Sequence, residues 1–236
     1  MSAPAVSIVT PVYNCERYIR DSIESALAQD FAAFELIVVD NGSTDRTPER
    51  IAAFGDARMR TTRLSEPGLA RALNAAMAYA RAPLVAILDA DDIALPDRLA
   101  ISTAFMAEHR DVVLAGSAYR IFIDEAGQRT GREHVLPLEG PDILRGLKIV
   151  DPSPLFHSSV IFRKAEIVAA GGYSENVSAY YDVDLFIRLA RSQRLANIAA
   201  PLSLKRLHPD QYFRNRRDLP ESAASLAALR AAAASL

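Results

Sequence analysis

The feature that most constrains the fold is a short apolar run that leads directly into three carboxylates. Residues 84–88 are all apolar, and Asp89, Asp91 and Asp92 follow within four positions. A short, unbroken apolar run is typical of a strand buried on both faces of a parallel sheet. Because open α/β sheets bind ligands at the carboxyl ends of their strands, the acidic residues lie where a site is expected.

Three carboxylates at the end of one strand repel one another unless a cation joins them. A hard divalent cation, held by one or two carboxylates and by the phosphates of a substrate, meets this requirement. The alternative is a polar loop that ends the strand and caps the next helix. The triplet alone leaves both interpretations open.

Hydrophobic periodicity predicts an α/β fold, because strands and helices alternate over the first 90 residues. This alternation favours a doubly wound, mostly parallel, Rossmann-like sheet with helices on both faces. The predicted strands are 6–12, 34–40, 59–64 and the run ending at Asp89, and the predicted helices are 16–29, 49–54 and 68–80.

The second half of the chain has a different pattern, with longer and less regular spacing. The expected helices are 96–109, 139–148, 164–170 and one from Asp182. The expected strands are 112–123, 129–136 and 159–162. A turn is expected at 124–127 and a loop at 149–158.

We expect one domain over residues 1–220. The change of pattern after Leu95 divides it into residues 1–95 and residues 96–220. The Ala-rich residues 221–236 form either a packing helix or a tail.

The bulk properties exclude several classes of protein. Half of the 236 residues are hydrophobic, and a net charge of −2 with a pI near 6.1 argues against a nucleic-acid partner. The basic cluster Arg214–Arg217 is expected to be a solvated surface. Cys15 is the only cysteine, which fits a reducing, cytoplasmic compartment. We find no signal peptide and no span of about 18 apolar residues, so a soluble chain is expected, and docking at the inner face of the cell membrane is left open.

Seven motifs occur along the chain in a specific order: Val6–Asn14, Glu35–Asp45, Gly68–Asn74, Leu88–Asp92 with Pro96–Leu99, His157–Arg163, Gly171–Tyr173 and Asp182–Leu189. Together they resemble the family 2 glycosyltransferases, inverting enzymes of the GT-A fold that use nucleotide-sugar donors. The likeness covers about residues 5–208. It implies a GT-A type α/β fold with a donor site at the sheet edge and a smaller acceptor-side region. Residues 1–95 would be the nucleotide-binding half and residues 96–220 the acceptor-binding half.

The resemblance implies a Mn²⁺ or Mg²⁺ cofactor at the acidic motif. Asp91 would bind the metal, while Asp89 and Ala90 would contact the donor, with Asp89 also reaching the metal through water. A bound metal stabilises a diphosphate leaving group without proton transfer. Asp92 is either a third functional carboxylate of the acidic motif or a cap for the next turn. His208 either reaches the metal or diphosphate, or is a surface histidine.

Other motifs imply residues that bind the nucleotide. Asp40 would accept a hydrogen bond from the imide N–H of uracil or thymine, whereas a turn-forming Asp is the alternative. Thr10, Pro11 and Tyr13 would line the same pocket, although Tyr13 also fits an ordinary buried position. Arg71 would contact the diphosphate in a forked geometry, or else lie on a helix surface.

The resemblance also implies a catalytic base, Asp182, at the start of a late helix. A helix start favours the ionised carboxylate. Tyr181 stands where the family usually has Glu, which puts the acceptor contacts in question. Asp184 faces away from Asp182 and is expected to pair structurally, and His157 is also expected to be structural.

The implied function is an inverting transfer of one sugar from a UDP- or dTDP-linked donor to a hydroxyl of a glycan, lipid-linked or other acceptor. Surface polysaccharide, lipopolysaccharide or glycoconjugate synthesis is the expected context. The chain has no Trp, so the Gln-x-x-Arg-Trp signature of polymerising members cannot occur. The alternatives are a degenerate nucleotide-sugar-binding protein, favoured by Tyr181, and a sugar nucleotidyltransferase, disfavoured because residues 8–20 contain no glycine.

Overall fold

The structure is a computed structural model that describes residues 3–123, 131–150, 153–177, 179–211 and 219–236. Within these residues the strands are β1 Val6–Val12, β2 Phe34–Asp40, β3 Met59–Arg63, β4 Leu84–Ile87, β5 Ile93–Ala94, β6 Val112–Ile123, β7 Arg132–His134, β8 Ile161–Arg163 and β9 Arg194–Leu207. The helices are α1 Ile19–Leu27, α2 Thr47–Ala52, α3 Leu69–Tyr79, α4 Arg98–Glu108, α5 Gly140–Ile149, α6 Lys164–Ala169, α7 Tyr181–Ala190 and α8 Pro220–Ala233.

One sheet runs through the described residues in the order β3-β2-β1-β4-β8-β6-β9-β5, with β7 paired to β6. The first four strands in this order are parallel, which confirms the predicted α/β class. β8 is antiparallel to β4 and β6, whereas β9 runs parallel to β6. The register pairs Val12 with Asp40, so the carboxyl ends of β1 and β2 meet at one edge.

Helices cover both faces of the sheet because successive side chains of a strand point to opposite sides. Ile8 and Val12 of β1 pack with α1, α2 and α4 on one face, whereas Val9 packs with α3, α5, α6 and α7 on the other. Both sides of β1 and β2 are therefore buried, as the apolar runs predict.

The longest strand was not predicted from the sequence. β9 contains three alanines, Pro201 and Ile198 as its only β-branched residue, a composition that does not indicate a strand. It forms because it pairs with β6 over almost its whole length, and the register shifts opposite Pro201. Pro has no N–H for the ladder, so an irregularity is expected there.

The C-terminal residues form a packing helix rather than a tail. Leu229 and Ala233 of α8 are buried in the same core cluster as α5 and α7. Arg191 donates a hydrogen bond to the carbonyl of Ala232 at 3.2 Å, and Arg230 donates to that of Ile149 at 3.3 Å.

Two sequence predictions fall outside the described residues, namely the turn at 124–127 and the basic cluster Arg214–Arg217. The expected return strand at 129–136 is found as β7, and the expected strand at 159–162 begins at Ile161, after a 3-10 turn at His157–Ser159. No helix among the described residues is long and apolar enough to cross a bilayer.

Candidate active site

The carboxyl ends of β1, β2 and β4 open into a cavity of about 1210 Å³. Of the predicted site residues, the ones that line it are Pro11, Tyr13, Asp89, Ala90, Asp91, Asp182 and His208. The cavity is larger than the roughly 300–1,000 Å³ typical of a site for one small ligand. It therefore has room for two reactants.

Asp91 meets His208 at the mouth of this cavity. The Nε2 atom of His208 lies 2.9 Å from Asp91 Oδ2, and the ring of His208 packs 4.2 Å from that of Tyr18. The Nδ1 atom of His208 is buried and has no hydrogen-bond partner among the described residues. β9 thus delivers a metal-binding residue type to the acidic motif from 117 positions away.

The donor set fits a divalent metal only in part. In the described part of the chain, no group of three or more His, Cys, Asp or Glu side chains could hold an ion by itself. Asp91 and His208 supply a carboxylate and an imidazole, and an ion there would need substrate oxygens to complete its coordination. Mg²⁺ is commonly bound in this way, through one or two carboxylates and substrate phosphates.

Asp92 serves the structure of the motif. It is 3% exposed, and its Oδ1 accepts a hydrogen bond from the backbone N–H of Arg206 at 2.9 Å. Burial raises its pKa well above the ordinary value, and the charges of Asp91 and Asp89 add to this. Asp92 therefore ties β9 to the acidic loop rather than capping the next turn.

Two buried arginines support the motif, and neither was assigned a role from the sequence. Arg206 donates from Nε to the carbonyl of Asp91 at 2.8 Å and pairs with Asp21 at 2.8 Å. Arg98 donates to the carbonyl of Ile87 at 2.5 Å, and burial lowers its pKa to about 10 although Asp89 and Asp92 oppose that change. A buried cation therefore lies behind the acidic cluster.

His157 was expected to be structural, but it lies in the cavity wall beside two candidate site carboxylates. Its Nδ1 is 3.6 Å from Asp89 Oδ1, and its Nε2 is 3.0 Å from the hydroxyl of Tyr173. Burial alone lowers the pKa of His157, but the hydrogen bond and charge of Asp89, with the charge of Asp182, raise it above its ordinary value. The sequence signal for His157 was its place at the start of the motif His157–Arg163, which did not reveal the two carboxylates beside it.

Asp182 enters the cavity from the first turn of α7. Tyr180, the residue before that helix, adopts the left-handed region with φ of 59°, an uncommon conformation for a residue other than glycine. Burial raises the pKa of Asp182 and the charge of Asp89 adds to this, while His157 opposes it. A carboxylate with a raised pKa is a better proton acceptor.

Asp184 and Tyr181, the neighbours of Asp182 on α7, have different surroundings. Asp184 accepts a hydrogen bond from Arg188 at 2.9 Å on the far side of α7, so its role is structural. Tyr181 lines the cavity and packs edge-on against His157, with ring centroids 5.7 Å apart. An aromatic ring therefore occupies the place where a carboxylate was expected.

The predicted nucleotide residues lie together at the β1–β2 edge. Asp40 Oδ1 accepts from the Ser43 N–H at 2.9 Å, and its Oδ2 lies 3.3 Å from Arg63 but has no hydrogen-bond partner among the described residues. Asp40 and Thr10 are buried just behind the cavity lining, which includes Pro11 and Tyr13. Tyr13 is 46% exposed, so it is not an ordinary buried tyrosine.

Arg71 is not brought into the cavity. It lies on the surface of α3, where it pairs with Glu66 at 3.0 Å and with Glu175 at 3.3 Å. Gly68 lines the cavity one turn earlier. A diphosphate contact by Arg71 would require both of these exposed ion pairs to break.

Comparison with known proteins places these features in a family. The family model "Glycosyl transferase family 2" matches residues 7–168. The protein EpsE of Bacillus subtilis (strain 168), provisionally named a glycosyltransferase, is 31% identical over 194 residues, which are 79% of this chain and 67% of EpsE.

Solved structures show the same fold. TarS 1-349 of S. aureus, in complex with UDP-GlcNAc, superimposes with a TM-score of 0.74 at 20% identity, covering 95% of this chain and 66% of that one. The mannosyltransferase PcManGT from Pyrobaculum calidifontis, in complex with GDP-Man and Mn²⁺, gives 0.69 at 20% identity and covers 99% of this chain and 76% of that one. These likenesses confirm the predicted GT-A type fold.

Proposed function

The chain belongs to glycosyl transferase family 2, and on that premise we propose that it moves one sugar from a UDP- or dTDP-linked donor to an acceptor hydroxyl, with inversion. The observation that supports this most is the meeting of Asp91, His208 and Asp182 in one cavity. Asp91 lies after the end of β4, His208 directly follows β9 and Asp182 lies in α7, so the three are far apart along the chain. Surface polysaccharide, lipopolysaccharide or glycoconjugate synthesis is the proposed context.

The donor base would bind at the β1–β2 edge. Asp40 Oδ2 has an unused acceptor site, which suits the imide N–H of uracil or thymine. Tyr13, exposed in the cavity lining, can present a ring face to the base. Thr10 and Pro11 would complete the pocket, and Arg71 would join it only if its surface ion pairs opened.

The diphosphate would bind at the acidic motif. Asp91 and His208 would hold Mn²⁺ or Mg²⁺, and the metal would supply positive charge for the departing nucleotide. Asp89 and Ala90 would position the donor sugar. The buried guanidinium of Arg98 would hold the carboxylates close together before the metal binds.

Asp182 would act as the general base. It would remove the proton of the acceptor hydroxyl during attack on the anomeric carbon opposite the leaving group. An α-linked donor would then give a β-linked product. The absence of tryptophan favours a single addition rather than polymer extension, with 1–95 holding the donor and 96–220 the acceptor.

The test is release of nucleoside diphosphate from UDP-, dTDP- and GDP-sugars, with and without Mn²⁺, in the presence of hydroxyl acceptors. GDP-mannose belongs in the panel because PcManGT binds it. The proposal expects metal-dependent transfer from a UDP- or dTDP-sugar, and Asp40→Ala should weaken binding of that nucleotide.

The outcomes separate the alternatives. Binding without turnover with any acceptor would indicate a degenerate nucleotide-sugar-binding protein, for which Tyr181 is the supporting observation. Pyrophosphate formed from UTP and a sugar 1-phosphate would indicate a nucleotidyltransferase. Tighter calorimetric binding of GDP than of UDP and dTDP would overturn the proposed donor class.

A further inference from the structure

One end of the cavity has a chemistry unlike that of the acidic motif. Tyr119 of β6 and Phe156 pack together, with ring centroids 4.3 Å apart, and both line the cavity. Lys205 of β9 extends over them, with Nζ 5.2 Å from the centroid of Phe156 and 5.8 Å from that of Tyr119. These distances are within the range of cation–π interactions. We call these three residues the aromatic–lysine platform.

Lys205 has no carboxylate partner within 4 Å in the described part of the chain. Most charged side chains that line this cavity are acidic, including Asp89, Asp91 and Asp182. A half-buried ammonium group without a counter-ion is costly unless a ligand or water satisfies it. Its position in the wall of a substrate cavity indicates that an anionic ligand group can satisfy it.

The platform lies beside the reaction centre. Phe156 directly precedes His157, whose Nδ1 is 3.6 Å from Asp89. Tyr119 is close enough to Asp92 for that carboxylate, in addition to burial, to raise the pKa of the tyrosine. A ligand on the platform is therefore near the acidic motif.

The chemistry of the platform fits a sugar. One face of the Tyr119 ring is already covered by His134, with ring centroids 5.0 Å apart, so a sugar would contact Phe156 and the remaining edge of Tyr119. Aromatic rings stack on the apolar face of a pyranose, because that face exposes C–H groups and little polar surface. The residual volume of the cavity, beyond what one ligand needs, provides the space. The ammonium group of Lys205 then favours a sugar that carries a negatively charged group.

We propose that Tyr119, Phe156 and Lys205 form the acceptor subsite, and that it takes a sugar acceptor bearing an anionic group next to the reacting ring. The anion is either a phosphate ester, as in a lipid-linked sugar, or the carboxylate of an acidic glycan. The proposal rests on the proposed glycosyl transfer, since it names the acceptor of that reaction.

The test measures binding by calorimetry with the full chain saturated with UDP and Mn²⁺. The probes compare a charged and a neutral form of the same sugar. Glucose, N-acetylglucosamine and galactose are each tested as the propyl phosphodiester and as the neutral propyl glycoside. The propyl glucuronide is added as the probe that carries a carboxylate. At least one anionic probe should bind about tenfold or more tightly than its neutral counterpart. Tighter binding of the phosphodiester would indicate a lipid-linked sugar as the acceptor, and tighter binding of the glucuronide would indicate an acidic glycan.

Three variants assign the effect to the lysine. Lys205→Met keeps most of the stem and removes the charge, so it should abolish the preference for anionic probes and leave UDP binding within twofold. Lys205→Arg should keep most of the preference. Lys148→Met, at an exposed position of α5, is the matched control and should change nothing.

Two results would overturn the subsite. One is equal binding of anionic and neutral probes by the unaltered chain. The other is a Lys205→Met variant that loses UDP affinity but keeps the anion preference, because Lys205 would then serve the donor. Failure to bind UDP in any variant would instead count against the proposed function, so the two failures are distinguishable.

Discussion

Asp182 occupies a different environment from the metal-side carboxylates, and this difference supports its role as the base. Burial raises its pKa, whereas Asp91 is partly open to the cavity and hydrogen-bonded to His208. Asp182→Asn is nearly isosteric but cannot accept the proton. We expect turnover to fall about 10²–10⁴-fold while donor affinity stays within a few fold.

The measurement is steady-state transfer combined with calorimetric binding of UDP. The acidic limb of the pH–rate profile should also disappear in the variant, because a group with a raised pKa loses its base form as the pH falls. Asp184→Asn, two positions along the same helix, is the matched control for changes in α7. Near-normal turnover of Asp182→Asn would remove it from this role.

Asp91 should matter for binding as well as for turnover. In Asp91→Asn the diphosphate would lose the carboxylate that holds its counter-charge, so Mn²⁺ should no longer improve UDP binding. Titration of UDP with and without Mn²⁺ checks this, and Asp97→Asn, exposed at the start of α4, is the control. If chelator-treated wild-type chain kept full activity, the metal role of Asp91 would be wrong.

At the scale of elements, Glu35 joins β2 to β1 and to the end of α3. It is 1% exposed and accepts hydrogen bonds from Ser7 at 2.7 Å and from the Arg81 backbone and side chain, each at 2.8 Å. Burial alone raises its pKa, but these hydrogen bonds outweigh burial and lower it. The stabilisation is therefore complete above about pH 4.3 and is lost as the pH falls through the lower, folded-state pKa.

We expect Glu35→Gln to reduce the free energy of unfolding at pH 7 by roughly 1–3 kcal/mol, because a charged acceptor of several hydrogen bonds is replaced by a neutral amide. The difference between variant and wild type should shrink as the pH falls below about 4.3. Urea denaturation at pH 7 and pH 3.5 measures both effects. Glu49→Gln, exposed on α2, is the control and should leave the free energy of unfolding unchanged. A loss of stability in Glu35→Gln that did not change with pH would contradict the argument.

The elements that the sequence predicted well share a clear physical pattern. β1, β2 and β4 are buried on both faces, so they are mostly apolar along their length and are followed by polar residues. β9 could not be predicted in this way, because its alanines and Pro201 carry little strand preference and its pairing with β6 is a tertiary effect. The consequence for the site is direct, since β9 carries Lys205 and is followed at once by His208.

Individual residues show the same limit. The acidic motif was found because its carboxylates follow a strand immediately, and His208 was proposed from the resemblance. Arg98 and His157 lie in the motifs Pro96–Leu99 and His157–Arg163, but these motifs did not reveal that both side chains are buried beside the carboxylates of the site. Arg71 was predicted from its motif to contact the diphosphate. The motif does not reveal that Glu66 and Glu175 pair with its side chain on the surface.

At the scale of the whole molecule, the two proposed halves share one sheet, which supports a single domain. β4 belongs to the donor half and pairs with β8, and β8 pairs with β6 of the acceptor half. The Asp91–His208 contact joins the halves again at the site. Ligand binding at this point should therefore stabilise both halves.

This coupling can be measured by hydrogen exchange of the full chain with and without UDP and Mn²⁺. Ligand that binds only the folded state adds about 2.7 kcal/mol at a concentration of 100 Kd, and we expect the slowed amides to include the ends of β1, β2 and β4 and also residues 204–208. His208→Ala should keep protection near Asp40 but lose it in β9, since the imidazole is the proposed link from β9 to the metal. His109→Ala, at the half-buried position that follows α4, is the control. Protection confined to residues 1–95 in the wild type would show that β9 takes no part in donor binding and would remove His208 from the metal site.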